Sequence, residues 1–277
     1  MKMTSHRPSN WVVLVVMLML AAAGCTPRPP ETPAPPPPAG WPPELADFTI
    51  AWTAEPVIDL TTDRAAIAAR AYAESYYLAS ITEDEKYLYP GFADAVEPNQ
   101  PSPGGPLGTS ELHPKLGFSV PTVWIGTARH RVLSITRSDG DVTVVACAYL
   151  YGTAREIPNR DGYAANVGIS YDLNSGIFPM RIGLRAPARS ESKSPAQHGP
   201  SKAPYDNVFG GWKITSFLFD YLSQPTSWPE KDADLKACIA KAEGPPESRH
   251  FIPRVPYPLS DFPRLPATPG WPAKPGN

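Results

Sequence analysis

The stretch HRVLSITRSDGDVTVVACAYLY, residues 130–151, decides the fold class. Apolar and polar residues alternate on both sides of Ser138-Asp139-Gly140-Asp141, and a period of two is typical of β-strands. Asp-Gly between two such runs is a strong hairpin signal, because both residues tolerate the positive φ that a tight turn requires. The sequence therefore predicts an antiparallel β-hairpin.

More strands are predicted on the C-terminal side of this hairpin. Residues 163–173 alternate between apolar and polar types, and residues 178–184 continue the pattern after a turn at 174–176. A polar loop then leads to a last strand within GGWKITSFLFDYL, residues 210–222. Together with the hairpin, these runs predict an antiparallel sheet of several strands.

Before the hairpin the hydrophobic period is helical. TTDRAAIAARAYAESYYLASI, residues 61–81, is rich in alanine, and Thr62 is its predicted N-cap. An apolar stripe runs along this segment at helical spacing. Arg70 and Glu74 mark the opposite face, which we expect to be solvated.

Two shorter helices are also predicted. Thr82 and Glu85 form a capping-box pattern at the start of the first, in residues 83–96. The second, WPEKDADLKACIAKAEG in residues 228–244, has a proline in its first turn and a glycine at its end.

Helices followed by antiparallel strands define an α+β fold. We expect the N-terminal helices to pack on one face of a bent antiparallel sheet, in a globular domain over residues 44–244. Pro-rich extensions flank this domain as residues 25–43 and 245–277.

The N-terminus has the composition of an export signal. Lys2 and Arg7 precede an apolar run over residues 11–23, which is too short to span a membrane. Small residues then lead into Cys25. This end resembles a bacterial lipobox, in which the cysteine thiol receives a diacylglycerol and cleavage makes that cysteine the new N-terminus. The resemblance implies that residues 1–24 are a lipoprotein signal peptide.

The lipobox pattern departs from the usual one at Ala22, where leucine is common. An ordinary secretory signal and an uncleaved anchor are the alternatives, but neither accounts for Cys25. We expect lipidation of Cys25 to hold the protein at the extracytoplasmic face of the cell membrane, since two acyl chains suffice for stable attachment.

The two Pro-rich extensions have different expected roles. Ten prolines lie between Pro27 and Pro43, and such a run predicts a polyproline-like tether, with a ligand for an aromatic groove as the alternative. Aromatic and aliphatic residues recur between the prolines of residues 245–277. We expect this tail to wrap on a surface, either its own domain's or a partner's.

Charge excludes one class of partner. The chain has 25 basic and 27 acidic residues, and loss of residues 1–24 would remove Lys2 and Arg7 from the basic total. Basic residues are scattered and form no block, so no nucleic-acid partner is expected.

Three cysteines occur in the chain. With Cys25 assigned to lipid, Cys147 and Cys238 remain in an exported, oxidising compartment, where two thiols usually pair. The expected disulfide would close a loop of about 90 residues and tie the sheet to the C-terminal helix; two buried free thiols are the alternative. No C-x-x-C motif indicates redox chemistry or zinc.

Over residues 60–221 the predicted order is a long helix, a short helix, a bent antiparallel sheet and a closing strand of the type Gly-Gly-Trp-Lys-Ile-Thr. This order resembles that of the NTF2-like (cystatin-like cone) superfamily. Such folds roll a sheet around a long helix to form an apolar pocket. Their members include isomerases, dehydratases and non-catalytic binding modules. The lipobox, tether and composition also resemble cell-envelope lipoproteins of actinobacteria and their prophages.

Catalytic motifs are weak. The string from Gly168 to Asp172 lacks the second glycine of a nucleophile elbow, which makes Ser170 a surface serine. Mature-chain histidines lie far apart, so no metal site or cofactor is expected. An isomerase-type site would need His130 as base, with Tyr72, Tyr76 or Tyr171 beside it; we expect instead that His130 is a partly exposed strand residue.

Three functions are therefore considered. The preferred one is a lipid-anchored, non-catalytic binding module for an envelope protein or an apolar ligand. A cone-fold isomerase or dehydratase acting on a small apolar substrate is the alternative. A prophage lipoprotein that excludes superinfecting phage would be a special case of the first.

Overall fold

A computed structural model describes residues 40–101, 105–117, 120–168, 172–188, 195–220 and 228–275. The predicted signal peptide, Cys25 and the tether up to residue 39 lie outside the described residues, as do Ser170 and Tyr171.

The fold is α+β, as predicted, and is built on one eight-stranded sheet. The strands are β1 (Phe48–Ala54), β2 (Trp124–Ser138), β3 (Asp141–Tyr149), β4 (Thr153–Glu156), β5 (Tyr163–Ala165), β6 (Ile177–Arg185), β7 (Lys213–Phe219) and β8 (Pro256–Tyr257). The order is β7-β6-β3-β2-β4-β5-β8, with β1 paired to β2. The helices are α1 (Arg64–Thr82), α2 (Phe92–Ala95) and α3 (Lys231–Lys241). In the described part of the chain, no helix is long and apolar enough to cross a membrane.

The hairpin of β2 and β3 is confirmed. Ser138 and Asp141 are the last paired residues, and the two turn residues between them, Asp139 and Gly140, have φ values of 49° and 89°. Both values lie in the left-handed region that a two-residue hairpin turn demands. The local Asp-Gly turn therefore sets the register of β2 and β3 up to Ser134, beyond which a bulge between Val132 and Ser134 shifts it.

The globular domain does not begin with the predicted helices, because a strand precedes α1 in the described residues. Strand β1 precedes α1 and pairs in parallel with the first half of β2, whereas the other strand pairs are antiparallel. Its sequence, FTIAWTA, alternates large apolar residues with threonine and alanine, which is the period-two signal of a strand.

The predicted strand over residues 163–173 is much shorter in the structure. Among the described residues of this range, 163–168 and 172–173, only Tyr163–Ala165 form a strand, β5. Gly168 has a φ of 72°, which a regular strand cannot contain. Strands β6 and β7, in contrast, lie where alternation predicts them.

The start and end of α1 differ from the predicted ones. Asp63, not Thr62, is the N-cap, because its carboxylate accepts hydrogen bonds from the N–H groups of Ala65 and Ala66. The helix continues through Thr82, so the predicted capping box at this residue is wrong. Its hydroxyl donates instead to the Leu78 carbonyl inside the helix.

Alternate residues of β3 enter two different apolar clusters. Ala146 and Ala148 belong to the cluster built around α1, whereas Cys147 and Tyr149 belong to the one that contains Cys238 of α3. Because successive strand side chains point to opposite faces, α1 and α3 cover opposite faces of the sheet. The C-terminal helix α3 therefore lies on the sheet face opposite to the one that α1 covers.

The disulfide between Cys147 and Cys238 is present, with an S–S distance of 2.06 Å and a sequence separation of 91. It joins the central strand β3 to α3 across the second cluster. This bond fixes the C-terminal helix to the sheet, as the cysteine count predicted.

Helix α1 is buried on all sides, and 17 of its 19 residues are inaccessible. Arg70 and Glu74 have exposed fractions of only 1% and 4%, so the predicted solvated face is wrong. Arg70 Nε lies 3.8 Å from Glu74 Oε1. Its Nη2 donates to the carbonyl oxygens of Gln197 and Gly270, at 3.1 and 3.0 Å.

The C-terminal tail supplies the rest of this buried network. The Trp271 ring lies 3.8 Å from Arg70 Cζ, a cation–π contact, and its indole N–H donates to Glu74 Oε2 at 2.7 Å. The Tyr89 hydroxyl donates to the same oxygen at 2.8 Å. Burial raises the pKa of Glu74, and the charge of Arg70 and these two hydrogen bonds oppose the rise.

The described part of the tail packs on its own domain. Phe262 and Trp271 are each 1% exposed, and β8 pairs with β5. The Thr268 carbonyl accepts from the Trp52 N–H at 2.6 Å, which continues the ladder beyond β1. The sequence predicts a tail that wraps on its own domain or on a partner, and the described residues of the tail pack on their own domain.

We expect Trp271→Ala to lower the free energy of unfolding by about 3–5 kcal/mol, the usual cost of removing a large buried aromatic side chain. The substitution also removes the hydrogen bond that the Trp271 indole N–H donates to the buried Glu74 carboxylate. Urea denaturation measures the change. Leu259→Ala, in the same tail at a position 50% exposed, is the control and should stay within about 0.5 kcal/mol of wild type. Equal losses for both variants would contradict a specific anchor at Trp271.

Replacing Cys147 and Cys238 together by serine should cost about 3–5 kcal/mol, because the long closed loop would no longer restrict the unfolded chain. Chemical denaturation of both forms gives this value. Native alkylation followed by mass spectrometry should modify neither residue in the wild-type protein. Labelling of both thiols in the folded, exported protein would show that the bond does not form.

Candidate binding groove

Two neighbouring cavities of about 360 and 300 Å³ lie where the sheet, the end of α3 and the tail meet. Both are lined by Arg129, Tyr151, Glu243 and Leu265, so they are two ends of one groove. We call it the tail groove. Its other lining residues are Ala51, Trp52, Thr53, Thr127, His130, Arg131, Tyr149, Gly152, Lys241, Gly244, Ser248, Arg249, Phe251, Asp261, Pro263, Pro266 and Thr268.

Strand alternation places the groove's cationic residues. Arg129 and Arg131 are separated by one residue on β2, so both side chains project from the face that α3 covers. Arg129 is the register partner of Tyr149 on β3. Its guanidinium carbon lies 5.0 Å from the Tyr151 ring, which forms the floor that both cavities share.

Three of the groove's cations have carboxylate partners. Arg129 Nη1 lies 2.9 Å from Glu243 Oε2. Arg131 and Lys241 both reach Glu55 Oε1, at 3.2 and 2.9 Å. Hydrogen bonds from these two side chains lower the pKa of Glu55. The wall is therefore basic, with three cations sharing two carboxylates.

The tail contributes a fourth cation. Arg249 is 4% exposed, and its Nη1 donates to the Gly244 carbonyl at 2.9 Å. Its buried Nε has no hydrogen-bond partner. Phe251, Pro263 and Leu265 supply apolar surface to the same cavity. The groove thus combines cationic and apolar contacts, which is what small-molecule sites provide.

His130 is buried rather than partly exposed, so that expectation is wrong. Its ring stacks on Trp52 with centroids 4.5 Å apart, and its Nδ1 has no hydrogen-bond partner. Burial lowers the pKa of His130 to about 3, so the ring is neutral at ordinary pH. The reason is β1: Trp52 is the register partner of His130 and covers it.

Of the residues named for an isomerase-type site, those that the structure describes have other partners. The Tyr72 hydroxyl donates to the Leu112 carbonyl at 2.9 Å, and its ring stacks on Phe92. Tyr76 packs against Phe217. Tyr171 lies outside the described residues. Among the residues that are described, no group of three or more histidines, cysteines or carboxylates could hold a metal ion.

No family model, no curated protein and no solved structure matches the chain.

Sequence reasoning missed the groove, although part of its signal was present. The R-H-R order at 129–131 already places two arginines on one strand face. No pattern in the sequence predicts that Tyr151, Glu243 and Arg249 lie together, because the three residues come from separate elements. Only the disulfide-tied position of α3 and the path of the tail bring them together.

Stability should fall below about pH 6.5 because of His130. The histidine is neutral in the folded state, with its pKa at about 3, whereas in the unfolded chain it titrates near 6.5. Protons therefore favour the unfolded state as pH drops from 6.5 toward 3, by about 1.4 kcal/mol per pH unit. Its stabilising contribution is complete above pH 6.5.

His130→Phe keeps an aromatic ring on Trp52 and removes the titration. Between pH 7.5 and 5.0 we expect the wild type to lose about 2 kcal/mol more stability than this variant, measured by urea denaturation at each pH. Other titrating groups are shared and cancel in the difference. Parallel pH profiles for the two proteins would show that His130 is not held neutral.

Proposed function

We propose that this chain is a lipid-anchored lipoprotein at the extracytoplasmic face of the cell membrane, acting as a non-catalytic binding module. The tail groove is the observation that carries the binding role. It is an open site of about 360 and 300 Å³ in its two parts. This size is at the lower end of the range of about 300–1,000 Å³ that is usual for small-molecule sites.

The lipid anchor is supported by the sequence around Cys25 and by the disulfide. A bond between Cys147 and Cys238 fits an oxidising compartment outside the cytoplasm. It also leaves Cys25 as the one cysteine of the chain without a role in the folded domain.

The NTF2-like cone is part of the same proposal. Support comes from the long β2–β3 hairpin and from a long helix enclosed by the core. In such a cone the pocket would lie between helix and sheet. Here Tyr72, Tyr76 and Phe217 pack together in that interior. We therefore place ligand binding in the tail groove, outside the cone.

The cone-fold enzyme remains the alternative, and its requirements are specific. It needs a base and an electrophilic partner within hydrogen-bond reach of one reacting atom. His130 stacks on Trp52, and the Tyr72 hydroxyl donates to a backbone carbonyl. These contacts favour binding over catalysis.

The anchor is tested by Cys25→Ala expressed in a bacterial host that processes lipoproteins. We expect the wild-type mass to show loss of residues 1–24 and gain of acyl chains. The variant should keep residues 1–24 and carry no lipid, because it lacks the thiol that receives the diacylglycerol. Thr26→Ala is the matched control and should process normally. Acyl mass on the Cys25→Ala protein would disprove the assignment.

Binding in the groove is tested with the full chain held in phospholipid nanodiscs. The neutral apolar probe N-phenyl-1-naphthylamine should raise its unfolding temperature, because a ligand that binds the folded state stabilises it. Leu265→Trp, at a residue that lines both cavities and is 42% exposed, should abolish the rise by filling the groove.

Leu259→Trp places the same ring elsewhere on the tail and should preserve the rise. Since the probe partitions equally into the lipid of all samples, only the groove distinguishes the variants. A rise that survives Leu265→Trp would place the binding site elsewhere.

A further inference from the structure

Two arginines are buried in the described part of the chain, Arg70 and Arg249. Arg70 faces the Glu74 carboxylate, two carbonyl oxygens and the Trp271 ring. Arg249 donates to the Gly244 carbonyl and has no ion pair with any described carboxylate. Both side chains are buried and both keep guanidinium nitrogens without a hydrogen-bond partner, but only Arg70 has a carboxylate beside it.

We infer that Arg249 anchors the anionic group of the ligand of the tail groove, and that this ligand is a small amphipathic anion. Its head would be a carboxylate or phosphate, and its body a short apolar chain. This inference rests on the proposed function and names the class of compound that the groove takes.

The physical reason lies in the charge of Arg249. A guanidinium does not lose its proton inside a protein, so burial cannot neutralise it as it would a lysine. A buried charge without a counter-ion costs several kcal/mol. Arg249 lines an open cavity, and its buried Nε has no hydrogen-bond partner. An anion entering this cavity would supply the missing charge.

The carboxylates near Arg249 do not fill this role. Glu243 lines the same cavity, but its carboxylate is held by Arg129 at 2.9 Å and is 66% exposed. Asp261 also lines the cavity and forms no ion pair with Arg249. At the other end, Arg131 and Lys241 share the single carboxylate of Glu55. The groove as a whole therefore has an excess of positive charge.

The apolar residues that line the cavity indicate the apolar part of the ligand. Phe251, Pro263 and Leu265 line the cavity beside Arg249, and the Tyr151 ring adds an aromatic floor. A volume of about 360 Å³ limits the body to a short chain or one to two rings. An inorganic anion alone would leave this apolar surface uncovered.

The test compares ligands that differ only in charge, using the full chain in neutral phosphatidylcholine nanodiscs. Octyl phosphate and octanoate should each raise the unfolding temperature by about 5 °C or more at a hundredfold excess over Kd. Octan-1-ol has the same chain without the charge and should give a clearly smaller rise. Inorganic phosphate alone should give little.

Substitution at Arg249 identifies the anchor. Arg249→Met should respond to octyl phosphate no more than to octan-1-ol, while its unfolding temperature without ligand stays close to that of the wild type, because the substitution removes an uncompensated buried charge. Arg249→Lys keeps the charge and should recover part of the response. Arg264→Met, at a tail arginine that pairs with Asp47 on the surface, is the control and should respond like wild type.

The outcomes separate the two proposals. Equal rises for octyl phosphate and octan-1-ol in the wild type, or an undiminished anion response in Arg249→Met, would overturn the inference and leave the groove as a binding site. A phosphate response as large as that of octyl phosphate would overturn the amphipathic ligand. If phosphatidylglycerol nanodiscs raise the unfolding temperature of wild type but not of Arg249→Met, the anion is a membrane lipid headgroup, which supports Arg249 as the anchor and overturns the small ligand. No rise with any probe, including the neutral naphthylamine, would refute the proposed function itself.

Discussion

The buried Arg70–Glu74 pair is the constraint on which the rest of this structure depends. An ion pair taken out of water loses its hydration and needs polar groups of the protein in its place. Nε and Nη1 of Arg70 have no hydrogen-bond partner, so the contacts that Arg70 and Glu74 do make matter for stability. Here the partners come from far along the chain, since Arg70 reaches the carbonyls of Gln197 and Gly270 and Glu74 accepts from Trp271. Helix α1 is buried on all sides because the loop that contains Gln197 and the tail segment around Trp271 cover its charged face. The tail is thus an integral part of the core.

That closure also forms the tail groove. Once Trp271 is fixed, the tail must run along the open edge of β1, where Thr268 pairs with Ala51. This pairing covers a sheet edge that would otherwise expose unpaired backbone groups. The pairing of Thr268 with Ala51 also places residues 261–268 opposite the end of α3. The disulfide holds α3 on the sheet. The tail groove is the space left between these two independently anchored segments.

The two buried arginines differ in their counter-charge. The chain surrounds Arg70 with the Glu74 carboxylate, two carbonyl oxygens and the Trp271 ring, although Arg70 Nε and Nη1 have no hydrogen-bond partner. Arg249 has one carbonyl and lines an open cavity. Both guanidinium groups keep their charge, but Arg70 has a carboxylate beside it and Arg249 has no ion pair among the described residues. His130 differs from both arginines, because its imidazole loses its proton on burial and therefore leaves no charge in the core.

The sequence by itself determined the features that depend on local pattern or on simple counting. These are the β2–β3 hairpin at Asp139-Gly140, the strand β6, and the pairing of Cys147 with Cys238. Helical periodicity failed at Arg70 because it assumes that a charged face meets water. Whether another segment covers that face depends on contacts about 130 and 200 residues away. Only the tertiary structure decided these contacts, and with them the groove, because Arg249 and its neighbours converge through the folding of separate elements rather than through any pattern in the chain.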